Sequence, residues 1–221
     1  MDIKHKIRLA LPIVLYGVFY MLAFHLLEQI DYEYYFTPYV WIDHEIPFIP
    51  WFIFPYIAWF FWVPGILLYL LIHDEWEFKR SRSMLIIGMT LFLLFSAFFP
   101  TKLFLRPYAD PNESIAMWLL SKLYSADTAT NVFPSIHVYN TCSTLYSIFM
   151  SKARLFRNKY FRIFASILSL LICLSTMFIK QHSIVDVAGA IVMFVIVAAI
   201  VQEYHKKHDP ALKPHNDQQT K

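Results

Sequence analysis

The chain alternates long apolar runs with shorter polar segments, and six of the runs are candidates to cross a membrane. A spanning helix needs about 20 mostly apolar residues, because the hydrocarbon core is about 30 Å thick and a helix rises about 1.5 Å per residue. The six predicted spans are residues 9–27, 51–72, 83–99, 132–150, 163–178 and 187–204. The pattern predicts an all-α membrane protein with six transmembrane helices, formed by a single domain (1–204) and followed by a polar cytoplasmic tail (205–221).

Composition supports lipid surroundings. Of 221 residues, 58% are hydrophobic and 16% are charged, whereas soluble domains have about half apolar and a quarter charged residues. With only 4 glycines, no Gly-rich nucleotide-binding motif can be read. The formal net charge of +3 is too small to indicate a nucleic-acid partner.

The basic residues predict the orientation. Of the 19 Lys and Arg residues, 15 lie in segments 1–8, 73–82, 151–162 and 205–221, which share one side if all six runs span. The positive-inside rule places that side in the cytoplasm. We therefore expect a multi-pass plasma-membrane protein with both termini inside, and with residues 28–50, 100–131 and 179–186 outside.

Two outer segments have recognisable patterns. Residues 28–50 are aromatic, acidic and proline-rich, which is typical of a segment at the lipid headgroups. A simple aromatic belt is favoured there over contact with a substrate. In the second segment a short amphipathic helix parallel to the membrane is predicted, with Asn112 as its N-cap and an apolar face made by Ile115, Trp118, Leu119 and Leu123.

The first of three polar clusters contains Lys102 and Arg106, followed by Pro107. If helix continues from the third span, both cations lie on one face, one turn apart. Two like charges side by side favour a bound anion, and Arg offers a planar fork for phosphate oxygens. The alternative is a pair of cations that reach from a helix end to the interface.

The second cluster, Pro134, Ser135 and His137, opens the fourth predicted span. Proline suits the first helical position, and the next N–H groups have no partner within the helix. Together with the Ser135 hydroxyl they predict an anion site beside His137. The alternative is that His137 has only a structural role.

The third cluster contains Lys180, His182 and Asp186. If this turn is helical, the carboxylate can bond one imidazole nitrogen of His182 and leave the other free. Lys180 places a further cation nearby. The alternative, that Asp186 only caps a helix, does not explain His182.

The predicted topology places all three clusters at helix ends on the extracytoplasmic face. Ionisable groups at membrane depth are costly and usually functional. The clusters imply an anion with several oxygens: the cations bind it, one histidine attacks and the other donates a proton.

In order and spacing, these clusters resemble the three motifs of the type-2 phosphatidic acid phosphatase superfamily: KxxxxxxRP, PSGH and SRxxxxxHxxxD. The matching residues are Arg106-Pro107, Pro134-Ser135-Ile136-His137, and His182 with Asp186. The chain departs from these motifs at three positions. Phe99 stands where the first motif has its lysine, and Lys102 follows three residues later. Ile136 replaces the glycine of the second motif, and Thr176 replaces the arginine of the third. The FPSxH and KQHxxxD patterns are similar to a branch related to inositol phosphorylceramide synthases, which are transferases.

The resemblance implies a metal-independent and cofactor-independent mechanism. His182 would form a phosphohistidine, Asp186 would orient it, and His137 would protonate the leaving oxygen and then activate water or an alcohol. The residues implied to hold the phosphoryl oxygens are Lys102, Arg106, Ser135 and Lys180, the last in place of the missing arginine.

The sequence therefore predicts a lipid phosphatase that acts on a lipid phosphate or pyrophosphate, with membrane lipids as surroundings and the oligomeric state open. One alternative is a lipid phosphotransferase that uses the same intermediate and passes the group to an alcohol. Another is a non-catalytic lipid transporter or scaffold. It is less favoured because transporters often have Gly-interrupted helices and mid-membrane charges, whereas here glycines are few and the polar groups gather at one face.

Overall fold

The computed structural model describes residues 3–208, which form eight α-helices, two short 3₁₀ turns and connecting loops. The helices are α1 (Ile3–Glu28), α2 (Ile42–Glu45), α3 (Ile53–His73), α4 (Glu75–Phe98), α5 (Ile115–Ala126), α6 (Ile136–Met150), α7 (Lys159–Phe178) and α8 (Ile184–His208). The all-α class is confirmed for this part of the chain. The predicted domain boundary at residue 204 stays a prediction: α8 continues to His208, and residues 209–221 lie outside the described residues.

Five helices are long and apolar enough to cross a membrane: Ile3–Glu28, Pro50–His73, Glu75–Phe98, Lys159–Phe178 and Ile184–His208. Each corresponds to one of the predicted spans. Large apolar side chains on α1, α7 and α8 are exposed on the outside of the bundle, such as Val14, Ile167 and Val195. Exposed apolar side chains are unfavourable only where water contacts them, so their position on the outside of the bundle suits contact with lipid.

The fourth predicted span, residues 132–150, differs from the other five. Its helix, α6, has 15 residues, or about 22 Å at 1.5 Å per residue, which is shorter than a hydrocarbon core of about 30 Å. It packs against α3, α4, α7 and α8 and buries the polar side chains of Asn140, Ser143 and Ser147. The described bundle thus consists of five helices of spanning length around a shorter central one.

Helix α6 starts late because Thr101 binds the backbone donors ahead of it. The Asn131 N–H donates to the Thr101 carbonyl at 2.7 Å. The Val132 and Phe133 N–H groups donate to the Thr101 hydroxyl oxygen at 2.9 and 3.2 Å. This geometry holds residues 131–133 outside the helix and fixes where α6 begins.

The prediction that Pro134 is the first helical residue is wrong. Ser135 has extended backbone angles and is the N-cap, and its hydroxyl accepts the Val138 N–H at 3.4 Å. Proline has no N–H and is readily accommodated ahead of a cap. The Ser135 hydroxyl is therefore already bound within the helix end.

The prediction that helix continues from α4 through Arg106 is also wrong. Residues beyond Phe98 are extended, with the Lys102 N–H donating to the Phe36 carbonyl at 2.9 Å and the Leu103 N–H to the Ala129 carbonyl at 2.9 Å. Because this backbone bonds to distant segments on both sides, it cannot form helical hydrogen bonds. Lys102 and Arg106 therefore do not share a helix face.

The predicted short helix between the third and fourth spans exists as α5, with a different cap. Ser114, not Asn112, is the N-cap, and its hydroxyl accepts the Met117 N–H at 3.2 Å. The buried side chains are Ala116, Met117 and Leu120. Of the predicted apolar face, Leu119 and Leu123 are half-buried against the start of α3. Ile115 and Trp118 are 57% and 44% exposed, and contact of this face with the membrane stays a prediction.

Both ends of the described chain lie at the same end of the bundle, next to the α3–α4 turn. In α1, His5 Nε2 lies 2.8 Å from Glu75 Oε2. In α8, the His205 ring is 5.2 Å from that of Trp76. The loops that carry the three polar clusters are at the opposite end. This agrees with the predicted arrangement, whereas the compartment each end faces stays a prediction.

Gly88 provides a test of the packing between α4 and α6. A Cβ atom at Gly88 would lie 1.9 Å from Tyr139 Cε1, and the buried Tyr139 is fixed by donation from its hydroxyl to the Met84 carbonyl at 2.7 Å. Overpacking a core costs about 1–3 kcal/mol. We expect Gly88→Ala to lower the midpoint of thermal unfolding in detergent.

Gly65→Ala is the matched control, because no atom lies within 4 Å of a Cβ placed there. Equal unfolding midpoints for the two variants would contradict the close contact between α4 and α6.

Candidate active site

Three segments meet at the end of the bundle away from the termini: the loop after α4, the start of α6, and the turn between α7 and α8. A small cavity of about 40 Å³ lies among them. Its lining includes Arg106, His137 and His182, one residue from each polar cluster. The structure therefore brings together residues that are up to 76 positions apart in the chain.

The two imidazole rings both line this cavity. Their centroids are 5.7 Å apart and their planes are inclined by 55°. His137 is the second residue of α6, while His182 lies in the turn just before α8. The two rings are thus close neighbours at the cavity.

Asp186 lies behind His182 and has two contacts. Its Oδ2 is 3.5 Å from His182 Nδ1 and accepts the Ser183 N–H at 2.8 Å. The Asp186 N–H in turn donates to the Ser183 hydroxyl oxygen at 3.1 Å, which completes a capping box. The carboxylate thus both caps α8 and faces the imidazole. His182 itself precedes the helix, so the predicted helical turn through it is wrong although the contact exists.

The segment between α1 and α3, residues 29–49, passes over the turn that carries His182; we call it the strap. The carboxylate of the buried Asp43 accepts the Ile184 N–H at 2.8 Å and the Val40 N–H at 2.9 Å. The Ser183 hydroxyl donates to the Pro38 carbonyl. The strap thus does more than the predicted aromatic belt, since it supplies caps to the start of α8.

Lys180 is held by the strap and does not line the cavity. Its Nζ donates to the carbonyls of Asp43 and Ile46 at 2.7 and 2.5 Å. Its backbone has a φ of 53°, a left-handed conformation that is uncommon outside glycine. Burial lowers the pKa of Lys180, and the nearby Asp43 carboxylate opposes that change.

The Arg106 guanidinium is oriented by backbone oxygens. Its Nη1 donates to the Asp127 carbonyl at 2.7 Å. Its Nη2 donates to the Thr128 carbonyl at 2.9 Å and also to Gln181 Oε1. Its Nε is buried without a partner among residues 3–208. The group is fixed in place and keeps one donor unused.

Burial dominates the electrostatics around Arg106. It lowers the pKa of Arg106, opposed by the Asp127 carboxylate. It raises the pKa of Asp127, opposed by Arg106 and His182. The Tyr124 ring centre lies 4.9 Å from the guanidinium carbon, and burial raises the pKa of Tyr124 to about 12 while Arg106 opposes the rise. Since Arg stays protonated in proteins, it is a fixed positive charge at the cavity.

Two other predicted phosphate ligands lie outside the lining. Lys102 Nζ is 5.3 Å from the Tyr35 ring centre and 5.6 Å from that of Phe104. Ser135 is fully buried and caps α6. In the structure as described, neither side chain reaches the cavity lined by the two histidines.

Several polar lining residues were missed by the sequence analysis: Asp127, Thr128, Thr130, Asn131 and Gln181. Asn131 Oδ1 and Gln181 Nε2 are buried and have no hydrogen-bond partner within the described part of the chain. The available signals were the position of Gln181 beside His182 and the tolerance of asparagine for left-handed backbone, which Asn131 adopts with φ 53°. Residues 3–208 contain no cluster of three His, Cys, Asp or Glu side chains placed to hold a metal ion.

Comparison with known families agrees with this arrangement. A family model described as the PAP2 superfamily matches residues 83–209, more than half of the chain. The chain belongs to the PAP2 superfamily. The match contains all three polar clusters, and the superfamily consists generally of phosphatases and related phosphoryl-transfer proteins. Searches of curated proteins and of solved structures found no match.

The family match confirms the resemblance to the type-2 phosphatidic acid phosphatase superfamily that the sequence motifs predicted. The similarity to the inositol phosphorylceramide synthase-like branch stays a prediction. With five helices of spanning length, the chain is a membrane protein of this superfamily.

Asp43 provides a test of the strap in this PAP2 protein. Asp43→Ala removes the acceptor for two backbone donors, and an unsatisfied buried donor costs about 1–3 kcal/mol. We expect a lower midpoint of thermal unfolding in detergent.

Asp31→Ala is the matched control, because Asp31 belongs to the same strap and is exposed. If both variants unfold at the same temperature as the parent, Asp43 does not hold the start of α8.

Proposed function

We propose that this PAP2 protein is an integral-membrane lipid phosphatase that works through a phosphohistidine on His182. The observation that carries the proposal is the pair of imidazoles, with centroids 5.7 Å apart, at a cavity also lined by a fixed guanidinium. This arrangement suits transfer of a phosphoryl group from an alcohol oxygen to nitrogen and then to water.

His182 is the proposed nucleophile because it has the carboxylate partner. Asp186 is buried, and its oxygen lies 3.5 Å from His182 Nδ1, somewhat longer than an ordinary hydrogen bond. Such contacts often tighten when substrate binds. A proton held on Nδ1 leaves the Nε2 lone pair free to attack phosphorus. The N–P bond then forms as the bond from phosphorus to the lipid oxygen breaks.

His137 is the proposed acid and base. As the lipid oxygen leaves with the bonding electron pair, a protonated His137 donates a proton to it and the lipid alcohol departs. The now neutral imidazole takes a proton from a water molecule, whose oxygen attacks phosphorus and breaks the N–P bond. Phosphate leaves, and both histidines return to their starting protonation states.

Arg106 is the proposed principal ligand of the phosphoryl oxygens. Its unpartnered Nε and its full charge suit the negative charge that builds up in the transition state. The unpartnered Gln181 Nε2 is a second donor at the cavity. Contacts from Lys102, Ser135 and Lys180 to the phosphate stay predictions, because these side chains are bound elsewhere in the described structure.

The proposed substrate is a lipid phosphate or pyrophosphate. PAP2 membership and the exposed apolar surface of the helices support a phosphorylated lipid that approaches from the bilayer. The predicted orientation would expose it on the outer side of the plasma membrane.

One observation favours transfer to an alcohol as the second candidate function. The cavity lining supplies acceptors, including the unpartnered Asn131 Oδ1 and the side chain of Asp127. An acceptor with two hydroxyls can donate one of them to these atoms while the other attacks phosphorus, loses its proton to His137 and breaks the N–P bond.

A substrate panel in detergent separates the two functions. Purified protein receives phosphatidic acid or an isoprenyl pyrophosphate together with a labelled alcohol. We expect release of free phosphate. Predominant formation of a labelled phosphate monoester of the added alcohol would instead support the transferase, and the absence of both products across the panel would contradict the proposal.

His182→Ala should lower activity by more than about a thousandfold, because loss of a nucleophile removes the whole covalent route. His25→Ala is the matched control: His25 is exposed in the last turn of α1 and does not line the cavity. A folded His182→Ala protein with parental activity would refute the nucleophile assignment.

A further inference from the structure

His137 is packed against aromatic side chains of α3. The centroid of its ring lies 4.4 Å from that of Trp59 and 4.6 Å from that of Tyr56. Phe60 is further away, at 6.2 Å. Two aromatic rings thus contact this imidazole on the side of α3, while His182 is its neighbour at the cavity.

The two histidines differ in what orients them. His182 has the Asp186 carboxylate 3.5 Å from its Nδ1. Neither Nδ1 makes a hydrogen bond to any residue from 3 to 208; of the two, only that of His182 lies near a carboxylate. The orientation of the His137 ring therefore depends on packing.

We propose that Trp59, together with Tyr56, positions the His137 imidazole for proton transfer to the leaving oxygen. Trp59 and Tyr56 are positioning residues in this inference, since they act through His137. The inference rests on the proposed function, in which His137 is the acid and then the base.

The contacting rings are themselves well fixed. Tyr56 and Trp59 are three residues apart in α3, so their side chains lie on one face of the helix. Tyr56 is 1% exposed and packs in a cluster with Ala116 and Leu120 of α5. A ring held in this way restricts the tilt of the imidazole that rests on it.

Aromatic contact also suits the charge that His137 carries before it donates its proton. A cation within about 6 Å of an aromatic ring centre is attracted to the ring face, most strongly for Trp. An aliphatic side chain of similar size fills the same space but provides no such attraction. The Trp59 indole Nε1 has no hydrogen-bond partner among the described residues, so packing rather than a hydrogen bond holds this ring.

Positioning and simple packing predict different kinetics. If Trp59 orients the acid, its loss slows substrates whose leaving group needs a proton and spares those whose leaving group does not. If Trp59 only stabilises the fold, both substrate types lose activity equally. The ratio of kcat/KM between the two substrate types therefore separates the roles.

The experiment compares Trp59→Leu and Trp59→Phe in the full chain in detergent. The substrates are an alkyl phosphate, whose alcohol leaves poorly, and an aryl phosphate with an acidic phenol. For Trp59→Leu we expect kcat/KM on the alkyl phosphate to fall by about tenfold or more, a part of the 10²–10⁴ that general acid catalysis supplies. The aryl phosphate should lose much less, and Trp59→Phe should restore most of the alkyl activity.

Trp62→Leu is the matched control. Trp62 is one turn further along α3 and its Nε1 is also unpartnered in the described chain, but its ring packs against Phe161 and Phe164 of α7, at 6.2 and 5.9 Å. We expect it to keep the parental ratio of the two kcat/KM values. If Trp59→Leu does not fold, Trp59→Met replaces it. We then expect the same difference, a larger loss of kcat/KM on the alkyl phosphate than on the aryl phosphate.

An unchanged ratio in folded Trp59→Leu or Trp59→Met would overturn the inference, and so would an equal change of the ratio in Trp62→Leu. Other outcomes would refute the proposed function rather than this inference. If the parent protein cleaves neither substrate, or if His182→Ala remains active, the phosphatase mechanism itself is wrong.

Discussion

The candidate site depends on one constraint: the free N–H groups at the starts of α6 and α8 must find acceptors where water is scarce. An unpaired buried donor is costly, and helix starts leave several such donors. Thr101 binds the donors ahead of α6, and Asp43 of the strap accepts from the first residue of α8. Because these acceptors come from distant segments, the starts of both helices are fixed relative to each other.

The two histidines are positioned by this capping. His137 follows the N-cap of α6, and His182 precedes the capping box of α8. The Ser135 N–H donates to the Asp186 carbonyl at 3.1 Å, which joins the two helix starts directly. A shift in either cap would change the 5.7 Å separation of the rings, so the groups that satisfy the backbone also set the geometry of the proposed reaction.

The sequence predicted the parts of the fold that depend on local pattern. Apolar runs identify spanning helices because a helix satisfies its own backbone within lipid, and five of the predicted spans are helices of sufficient length. The spacing of His182 and Asp186 likewise predicted a contact within one turn. The superfamily, too, was identified from the three motifs and is supported by the family match.

The failed predictions involve contacts between distant residues. Lys102 and Arg106 can share a helix face only if helix continues beyond the third span. Nothing in the local sequence shows that the Phe36 carbonyl instead binds the Lys102 backbone. Helix α6 was started at Pro134 because the role of Thr101, some 30 residues earlier, leaves no periodic signal. For the same reason the sequence could not show that Lys180 binds carbonyls of the strap.

The proposed mechanism requires His182 to carry the phosphoryl group during turnover. The most direct measurement is rapid quenching of the protein with a lipid substrate labelled at phosphorus, followed by peptide mapping of the label. We expect label on the peptide that contains His182, and the label should be stable in alkali and lost in acid, as is typical of an N–P bond. Turnover of the substrate with no labelled protein, or label on a different residue, would contradict it.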